Sequence, residues 1–244
     1  MSRPLRERLL SIMDRKDHWA WPRFAAGEIP LPQLRPHFQQ EWATYVRDFP
    51  VLLGRILGHD PPDDVRVALA ANLYEEQTGG ISNSAPHPEL FLRMMEACGY
   101  PRGDFGRVSL LPESAAYRAF LDDVTWRGPW VVGFAVMTIF VEGSIHDRRE
   151  IDAPSDEPAA DSASIERAIA QHPLVRIHRV PVAAMELTRV HKRVESGHRH
   201  DAWRSVLEHA RIQDHDSIAL AVERSLALWQ LYRDAIARAC GVSR

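Results

Sequence analysis

Apolar side chains recur every three or four residues along most of this chain, and that spacing predicts α-helices. The longest such pattern covers residues 31–57. Its apolar positions are Leu34, Phe38, Trp42, Tyr45, Val46, Phe49, Leu53 and Ile56. Pro50 is expected to kink or divide this helix, because proline lacks the backbone N–H that a helix interior uses. Gly58 suits its C-terminal end.

The same periodicity predicts helices along the rest of the chain. They cover residues 3–14, 61–77, 87–98, 112–126, 130–149, 165–194 with breaks near Pro173 and Pro181, 201–211 after a kink or end near Gly197, and 217–239. Only residues 175–182 would suit a strand. The prediction is therefore an all-α fold, a single domain over residues 1–244 built from seven or more helices. Residues 152–164 are rich in Ala, Asp, Ser and Pro, as is typical of a surface linker.

Composition narrows the functional classes. Hydrophobic residues make up 45% of the chain and charged residues 26%, and the formal net charge is −3, which argues against a nucleic-acid partner. The first ten residues lack the continuous apolar stretch that a secretory signal requires. The longest apolar run, residues 130–141, is too short for a membrane span. Two cysteines, Cys98 and Cys240, do not suggest a disulfide framework. We expect a cytoplasmic protein without a membrane partner.

The sharpest chemical pattern lies on the late helix. His191, Glu195 and His198 stand at positions i, i+4 and i+7, which share one helix face. Two imidazoles and one carboxylate are ligands for iron, manganese or zinc. The alternative interpretation is a solvated polar face on which the histidines are incidental.

A second candidate ligand is Glu142, near the end of the most apolar helix. A carboxylate in such surroundings must be paired, protonated or bound to metal. If the helix instead ends at this residue, Glu142 is simply solvated.

A third group comprises Glu75, Glu76 and His87. The helix that carries the two carboxylates packs closely, so at least one of them is expected to face inward, and Asn72 shares a face with Glu76. A tight turn can bring His87, at the start of the next helix, back beside Glu76. Taken alone, His87 is more often a capping or surface residue. Helical bundles house di-iron carboxylate sites with ligands of these types.

In order and approximate spacing, these fragments resemble the heme-oxygenase-like di-iron oxidases. This family is the metal-binding branch of a fold shared with thiaminase-II and pyrroloquinoline-quinone synthase. The matching pieces are residues 72–76 (NLYEE), 87–90 (HPEL) and 141–143 (VEG), together with His191, Glu195 and His198.

The resemblance implies a heme-oxygenase-like bundle that holds two iron ions, with manganese or a mixed pair as the variant. One ion would be bound by Glu76, His87 and a shared Glu142, and the other by His191, Glu195 and His198. The family commonly carries Asp at the position of Glu195. The implied activity is an O₂-dependent oxidation of a small substrate, by N-oxygenation, desaturation or oxidative carbon–carbon cleavage. A homodimer is compatible with this fold.

The substrate we expect is an amino acid or an amino-acid derivative. Its carboxylate would suit an arginine anchor, but the chain has too many arginines for the sequence to select one.

Two other functions stay open on the sequence. One is a metal-free member of the same fold, acting like thiaminase-II or the quinone synthase. Thiaminase chemistry needs a nucleophilic cysteine in a polar pocket, whereas Cys98 has the sequence context of a core residue. The other is a non-catalytic interaction protein on a helical scaffold.

Overall fold

The structure, a computed structural model, describes residues 3–152 and 161–244, with the backbone alone for residues 3 and 194–198. Within these ranges it is helical and contains no strand, which confirms the all-α prediction. The α-helices are α1 (Arg3–Met13), α2 (Trp21–Ala26), α3 (Arg35–Glu41), α4 (Phe49–Leu57), α5 (Asp63–Thr78), α6 (His87–Ala97), α7 (Gly103–Gly106), α8 (Pro112–Trp126), α9 (Trp130–Phe134), α10 (Asp147–Asp152), α11 (Ser162–Gln171), α12 (Pro173–Arg176), α13 (Glu186–His209) and α14 (His215–Ala239). The 3₁₀ turns are Leu31–Leu34, Val182–Met185 and Ile212–Asp214.

Two further segments, Trp42–Val46 and Ala135–Val141, are π-helical. The Arg47 N–H bonds to the Trp42 carbonyl at 3.1 Å, and the Glu142 N–H bonds to the Met137 carbonyl at 3.3 Å. Both bonds span five residues, so each segment is wider than an α-helix. Such segments are frequent at functional sites.

The core forms around α14, which packs against α1, α3, α8 and the Ala135–Val141 segment. Bulky side chains from these elements, among them Tyr117, Phe140 and Tyr232, are fully buried. On the other side of Ala135–Val141 lies α13, which also contacts α5 and α6. Helices α5, α6 and α13 and this π-helical segment therefore surround a common interior region.

Several predicted boundaries were wrong. The helix predicted at 130–149 ends near Glu142, and α10 starts only at Asp147. Asp147 accepts a hydrogen bond from the Ser144 N–H at 2.7 Å, and this local bond stabilises a turn instead of a continued helix. By contrast, the predicted division of the long pattern at 31–57 is confirmed: it breaks at Asp48, just before Pro50, which occupies the first turn of α4.

The late part of the chain also differs from the prediction. Residues 175–182 contain the end of α12 followed by an irregular turn, and no strand. Helix α13 continues through Gly197 to His209, so residues 201–211 do not form a separate helix. The predicted linker is shorter at both ends, because Asp152 belongs to α10 and α11 begins at Ser162. Residues 153–160 lie outside the described part of the chain.

None of the helices in the described part of the chain has the length and apolar character that a bilayer crossing requires.

Candidate metal centre

A tight turn after α5 brings His87 back against the end of that helix. Gly79 ends α5 in the left-handed conformation with φ of 66°, where a Cβ atom would lie 2.5 Å from the Ala85 carbonyl oxygen. Only glycine fits such a position without strain. The chain then reverses and α6 starts at His87, whose ring is buried beside Glu75 and Glu76.

Glu75 fixes both the turn and the orientation of the His87 ring. Its Oε2 accepts hydrogen bonds from the backbone N–H groups of Ile81 and Ser82 at 2.8 and 3.0 Å. Its Oε1 lies 3.2 Å from His87 Nε2. Burial raises the pKa of the Glu75 carboxyl, but the hydrogen bonds from Ser82, His87 and Ile81 outweigh burial and hold the pKa below its ordinary value. Because an ionised carboxylate only accepts, His87 Nε2 carries the proton in this contact.

The other ring nitrogen of His87, Nδ1, faces two further candidate ligands. His87 Nδ1 lies 2.9 Å from Glu76 Oε1 and 3.3 Å from His191 Nε2. One ligand atom from each of these three side chains lies within 4.8 Å of the others. At a metal–ligand distance of about 2.1 Å, ligands at a right angle are about 3.0 Å apart and ligands at a tetrahedral angle about 3.4 Å. The spacing of these atoms fits a metal ion.

The electrostatics at His87 also favour a cation. Burial lowers the pKa of the imidazole, but hydrogen bonds and charge from Glu76 and Glu75 raise it by more, so its pKa lies above the ordinary value. A position where two carboxylates stabilise positive charge is suited to a cation. The Nε2–H contact to Glu75 is the carboxylate–histidine arrangement that orients histidine ligands in metalloproteins.

Glu142 follows the C-terminal end of the π-helical Ala135–Val141 segment and lies in the same region. Its Oε1 accepts a hydrogen bond from Asn72 Nδ2 at 3.2 Å. Asn72 is buried, and its own Oδ1 has no hydrogen-bond partner among the described residues. A buried amide oxygen without a donor is costly, so a further donor or a cation at the site would satisfy this atom.

The backbone around Glu142 is held by Lys16. Its ammonium donates to the carbonyl oxygens of Phe140, Val141 and Gly143, at 3.2 Å for Val141 and 2.6 Å for Gly143. These carbonyls lie at a helix end, where intrahelical donors run out. Burial lowers the pKa of Lys16 to about 7.

The candidate ligands line a cavity of about 200 Å³, which we call the central cavity. Four of its residues are candidate ligands: Glu76, His87, Glu142 and His191. The other lining residues are Tyr45, Val46, Phe49, Thr138, Val141, Leu187 and Arg199. Both π-helical segments thus contribute to its wall, and most of the remaining wall is apolar.

The six predicted ligands divide into two groups. The structure brings ligand atoms of Glu76, His87 and His191 within 4.8 Å of one another and places Glu142 on the same cavity. Glu195 and His198 belong to the backbone of α13, but their side chains lie outside the described residues.

Sequence reasoning missed two roles near these ligands. The helical pattern predicts Glu75 only as an alternative inward-facing carboxylate. Its position shortly before two glycines was a signal that it could bind the N–H groups of the following turn. Nothing in the sequence marked Lys16 beyond its rarity in a chain with one other lysine, Lys192.

The two cysteines lie away from this centre. Cys98 and Cys240 are buried, and burial raises the pKa of each thiol to about 11. Neither lines the central cavity. A buried thiol with a raised pKa is a poor nucleophile.

Comparisons with known proteins agree with these features. The model of a family described as iron-containing redox enzymes matches residues 36–230. The crystal structure of a TenA homolog from Pseudomonas syringae pv. tomato str. DC3000 is similar, with a TM-score of 0.70 at 15% sequence identity over 97% of this chain and 92% of that chain. No curated protein matches the sequence. At this identity, the structural likeness shows a shared fold.

Proposed function

The chain belongs to the iron-containing redox enzyme family, and from that premise we propose that it is a non-heme di-iron oxidase or oxygenase. It would use O₂ to oxidise a small substrate, an amino acid or amino-acid derivative. The convergence of Glu76, His87 and His191, with Glu142 on the same cavity, is the observation that carries this proposal.

The donor set suits ferrous iron. Carboxylate and imidazole ligands are those used by non-heme iron enzymes. Glu76, His87 and Glu142 would hold one ion, and His191 would hold the other together with Glu195 and His198. Two ferrous ions bound here would supply the electrons that O₂ needs for the oxidation.

The protein's own side chains would position and protect the reaction. Glu75 orients His87 through its Nε2–H, and Asn72 orients Glu142. Phe49, Val141 and Leu187 give the central cavity apolar walls, which limit the access of water. The cavity volume fits a small molecule, so a polymeric substrate is not expected.

An iron titration with an oxygen assay tests the proposal. Full-length protein would be loaded with ferrous iron without O₂, desalted, and analysed for iron per chain. O₂ consumption would then be recorded with a panel of amino acids. We expect two ferrous ions per chain and O₂ uptake that depends on one class of amino acid.

Matched variants identify the site. His191→Ala and Glu142→Ala should lose iron and O₂ uptake, whereas His209→Ala should retain both. His209 is a useful control because it forms a rival group of candidate ligands with Asp64 and Glu208 at the surface.

The competing functions give different results. Less than one iron per chain in wild-type protein, after loading, would favour the metal-free alternative. Full iron loading without O₂ uptake across amino acids and fatty acids would favour a non-catalytic role.

A further inference from the structure

A second cavity, of about 240 Å³, lies next to the central cavity. Tyr45 and Val141 line both cavities, so these two side chains form a shared wall. Aromatic rings from Trp21, Tyr117 and Trp229 also line the second cavity. These flat surfaces suit a planar apolar molecule.

Arg233, on α14, supplies a buried cation to the second cavity. Arg233 is 8% exposed. Its Nη2 lies 2.8 Å from Glu41 Oε1 and 3.5 Å from the Tyr45 hydroxyl. The Trp21 and Trp229 ring centroids lie 4.8 and 5.4 Å from the guanidinium carbon. The guanidinium is therefore paired with Glu41 and lies within cation–π distance of both indole rings.

The Nε–H of Arg233 takes no part in these contacts. It is buried and has no hydrogen-bond partner among the described residues. A buried donor on a charged group is costly when unsatisfied. Arg233 lines the second cavity, and a guanidinium with an unpaired donor can bind a carboxylate because its planar geometry matches that anion.

The other cations near the two cavities already have partners. Arg199, which lines the central cavity, lies in salt-bridge contact with Glu150 and 3.8 Å from Asp147. Lys16 lines the second cavity, but its ammonium donates to three backbone carbonyls. Of these three cations, Arg233 is the one with a buried donor that has no partner among the described residues.

We propose that the second cavity binds the carboxylate of a flat organic acid on Arg233. The rest of the acid lies between the aromatic walls and extends towards Tyr45 and Val141, the two side chains that also line the central cavity. That this acid is the substrate rests on the proposed function, whereas its binding to the cavity does not. The preferred substrate would then be an aromatic amino acid or a related aromatic acid.

Asp17 modulates this site from its rim. Its side chain is exposed and lines the second cavity, where it accepts a hydrogen bond from the His18 N–H at 2.7 Å. Its negative charge opposes an incoming anion. Replacing it with asparagine should therefore strengthen binding without disturbing the buried residues.

Calorimetric titration of full-length, metal-free protein tests the proposal. The probes are 3-phenylpropanoate and its neutral amide, which differ chiefly in charge. We expect the acid to bind at least ten-fold more tightly than the amide. Arg233→Lys should weaken acid binding at least ten-fold, since it keeps a charge opposite Glu41 but removes the planar fork. Asp17→Asn should tighten it two- to three-fold.

The controls separate this site from its rivals. Arg118→Lys alters a partly buried arginine that pairs with Asp48 and Asp122 outside both cavities, and it should leave the affinity unchanged. Equal affinities of wild-type protein for acid and amide would overturn the proposal, even if Arg233→Lys failed to fold. Loss of binding in Arg199→Lys but not in Arg233→Lys would overturn it as well, because the anchor would then be in the central cavity.

The result is independent of the iron assay. Acid binding to metal-free protein that later shows no O₂ uptake would refute the oxidase and retain the anion site. O₂ uptake without selective acid binding would refute the anion site and retain the oxidase.

Discussion

Glu75 and Glu76 are neighbours in sequence, yet they contact opposite nitrogens of the His87 ring. Glu75 is fully buried and satisfied by two backbone N–H groups and the imidazole. Glu76 remains partly accessible, with 14% of its side chain exposed, and lines the central cavity. The first carboxylate therefore has a structural role and the second can bind a metal ion.

Exchanging each carboxylate for its amide separates these roles. Glu76→Gln should remove most of the bound iron and lower the metal-free protein's free energy of unfolding by less than Glu75→Gln does, because Glu76 binds none of the turn N–H groups that Glu75 accepts from. Glu75→Gln should lower that free energy by about 2 kcal/mol, because a buried acceptor of several hydrogen bonds is altered. It should also weaken iron binding about ten- to a hundred-fold by releasing His87.

Iron titration and urea unfolding measure both effects. His209→Ala, at the surface, serves as the control for each. If Glu76→Gln kept full iron affinity while Glu75→Gln lost it without destabilising the protein, Glu75 would be the ligand.

The sequence predicted part of this arrangement. Helical spacing and the turn after α5 predicted that His87 would lie beside the carboxylates, and it does. Successive residues on a helix point about 100° apart, so a pattern analysis can show that one carboxylate faces inward without showing that both reach the same ring. That outcome depends on the path of residues 79–86, which sequence periodicity does not determine.

At the scale of elements, the end of the Ala135–Val141 segment is bound by a residue distant in sequence. Lys16 follows α1 in sequence, yet its ammonium binds carbonyls on both sides of Glu142. The Lys16 ammonium also lies 4.7 Å from the Phe140 ring centroid. This contact closes the C-terminal end of the π-helical segment and fixes the backbone from which Glu142 projects.

Lys16→Met tests this contact. It should lower the free energy of unfolding by about 3 kcal/mol, since buried carbonyls lose their donor. Iron bound per chain should fall as well, because the Glu142 backbone is no longer held. Urea unfolding and iron analysis report the two effects.

Lys192→Met provides the matched control, because Lys192 is exposed and is the other lysine of the chain. Unchanged iron binding in Lys16→Met would show that the segment holds Glu142 without this contact.

Element boundaries were predictable where the local sequence decides them. Residues 112–126 were predicted as a helix, and α8 has these limits, because Pro112 begins it and Gly128 follows soon after its end. The predicted helix at 130–149 is too long. Its true end depends on two polar contacts that hydrophobic spacing does not show. One is a bond from Lys16, which is distant in sequence, and the other is a local bond from the Ser144 N–H to Asp147. A π-helical turn likewise leaves little mark on hydrophobic spacing.

Over the whole molecule, helices are also joined by partly buried ion pairs. Arg118 on α8 donates to Asp48, at the start of α4, at 2.6 Å and to Asp122 at 2.8 Å. Arg47 also bonds Asp48 at 2.7 Å. The Arg47 and Arg118 hydrogen bonds overcome burial and lower the pKa of the Asp48 carboxyl to about 2.

The lowered pKa of Asp48 predicts that the free energy of unfolding depends on pH. A carboxyl group whose pKa is lower in the folded than in the unfolded chain stabilises the fold above the unfolded value, about 3.9, and loses that effect as the pH falls towards 2. Asp48→Asn should therefore cost about 2 kcal/mol of unfolding free energy at pH 7. The difference from wild type should shrink between about pH 4 and pH 2.

Urea unfolding of both proteins across this pH range measures the difference. Asp63→Asn is the control, because Asp63 forms an exposed pair with Arg66 and should have little effect at any pH. A difference that stayed constant down to pH 2 would show that the charge of Asp48 does not stabilise the fold.

The global fold was largely predictable and the arrangement of cavities was not. Helical periodicity and the resemblance gave an all-α bundle, and the likeness to the TenA homolog confirms it. The second cavity arises where Trp21, Trp229 and Arg233 meet, and these residues come from opposite ends of the chain. The sequence around each of these residues does not predict a cavity. They come together because α2 packs against the rest of the bundle.

The two π-helical segments place a restriction on how the chain length can vary. Each holds one residue more than an α-helix needs for the same rise. Losing a single residue from Ala135–Val141 would restore α-helical geometry and rotate Glu142 by about 100° around the axis. The walls of the central cavity should thus accept exchanges of one side chain for another more readily than a deletion. A homologue shortened by one residue here would lose this chemistry even with every candidate ligand conserved.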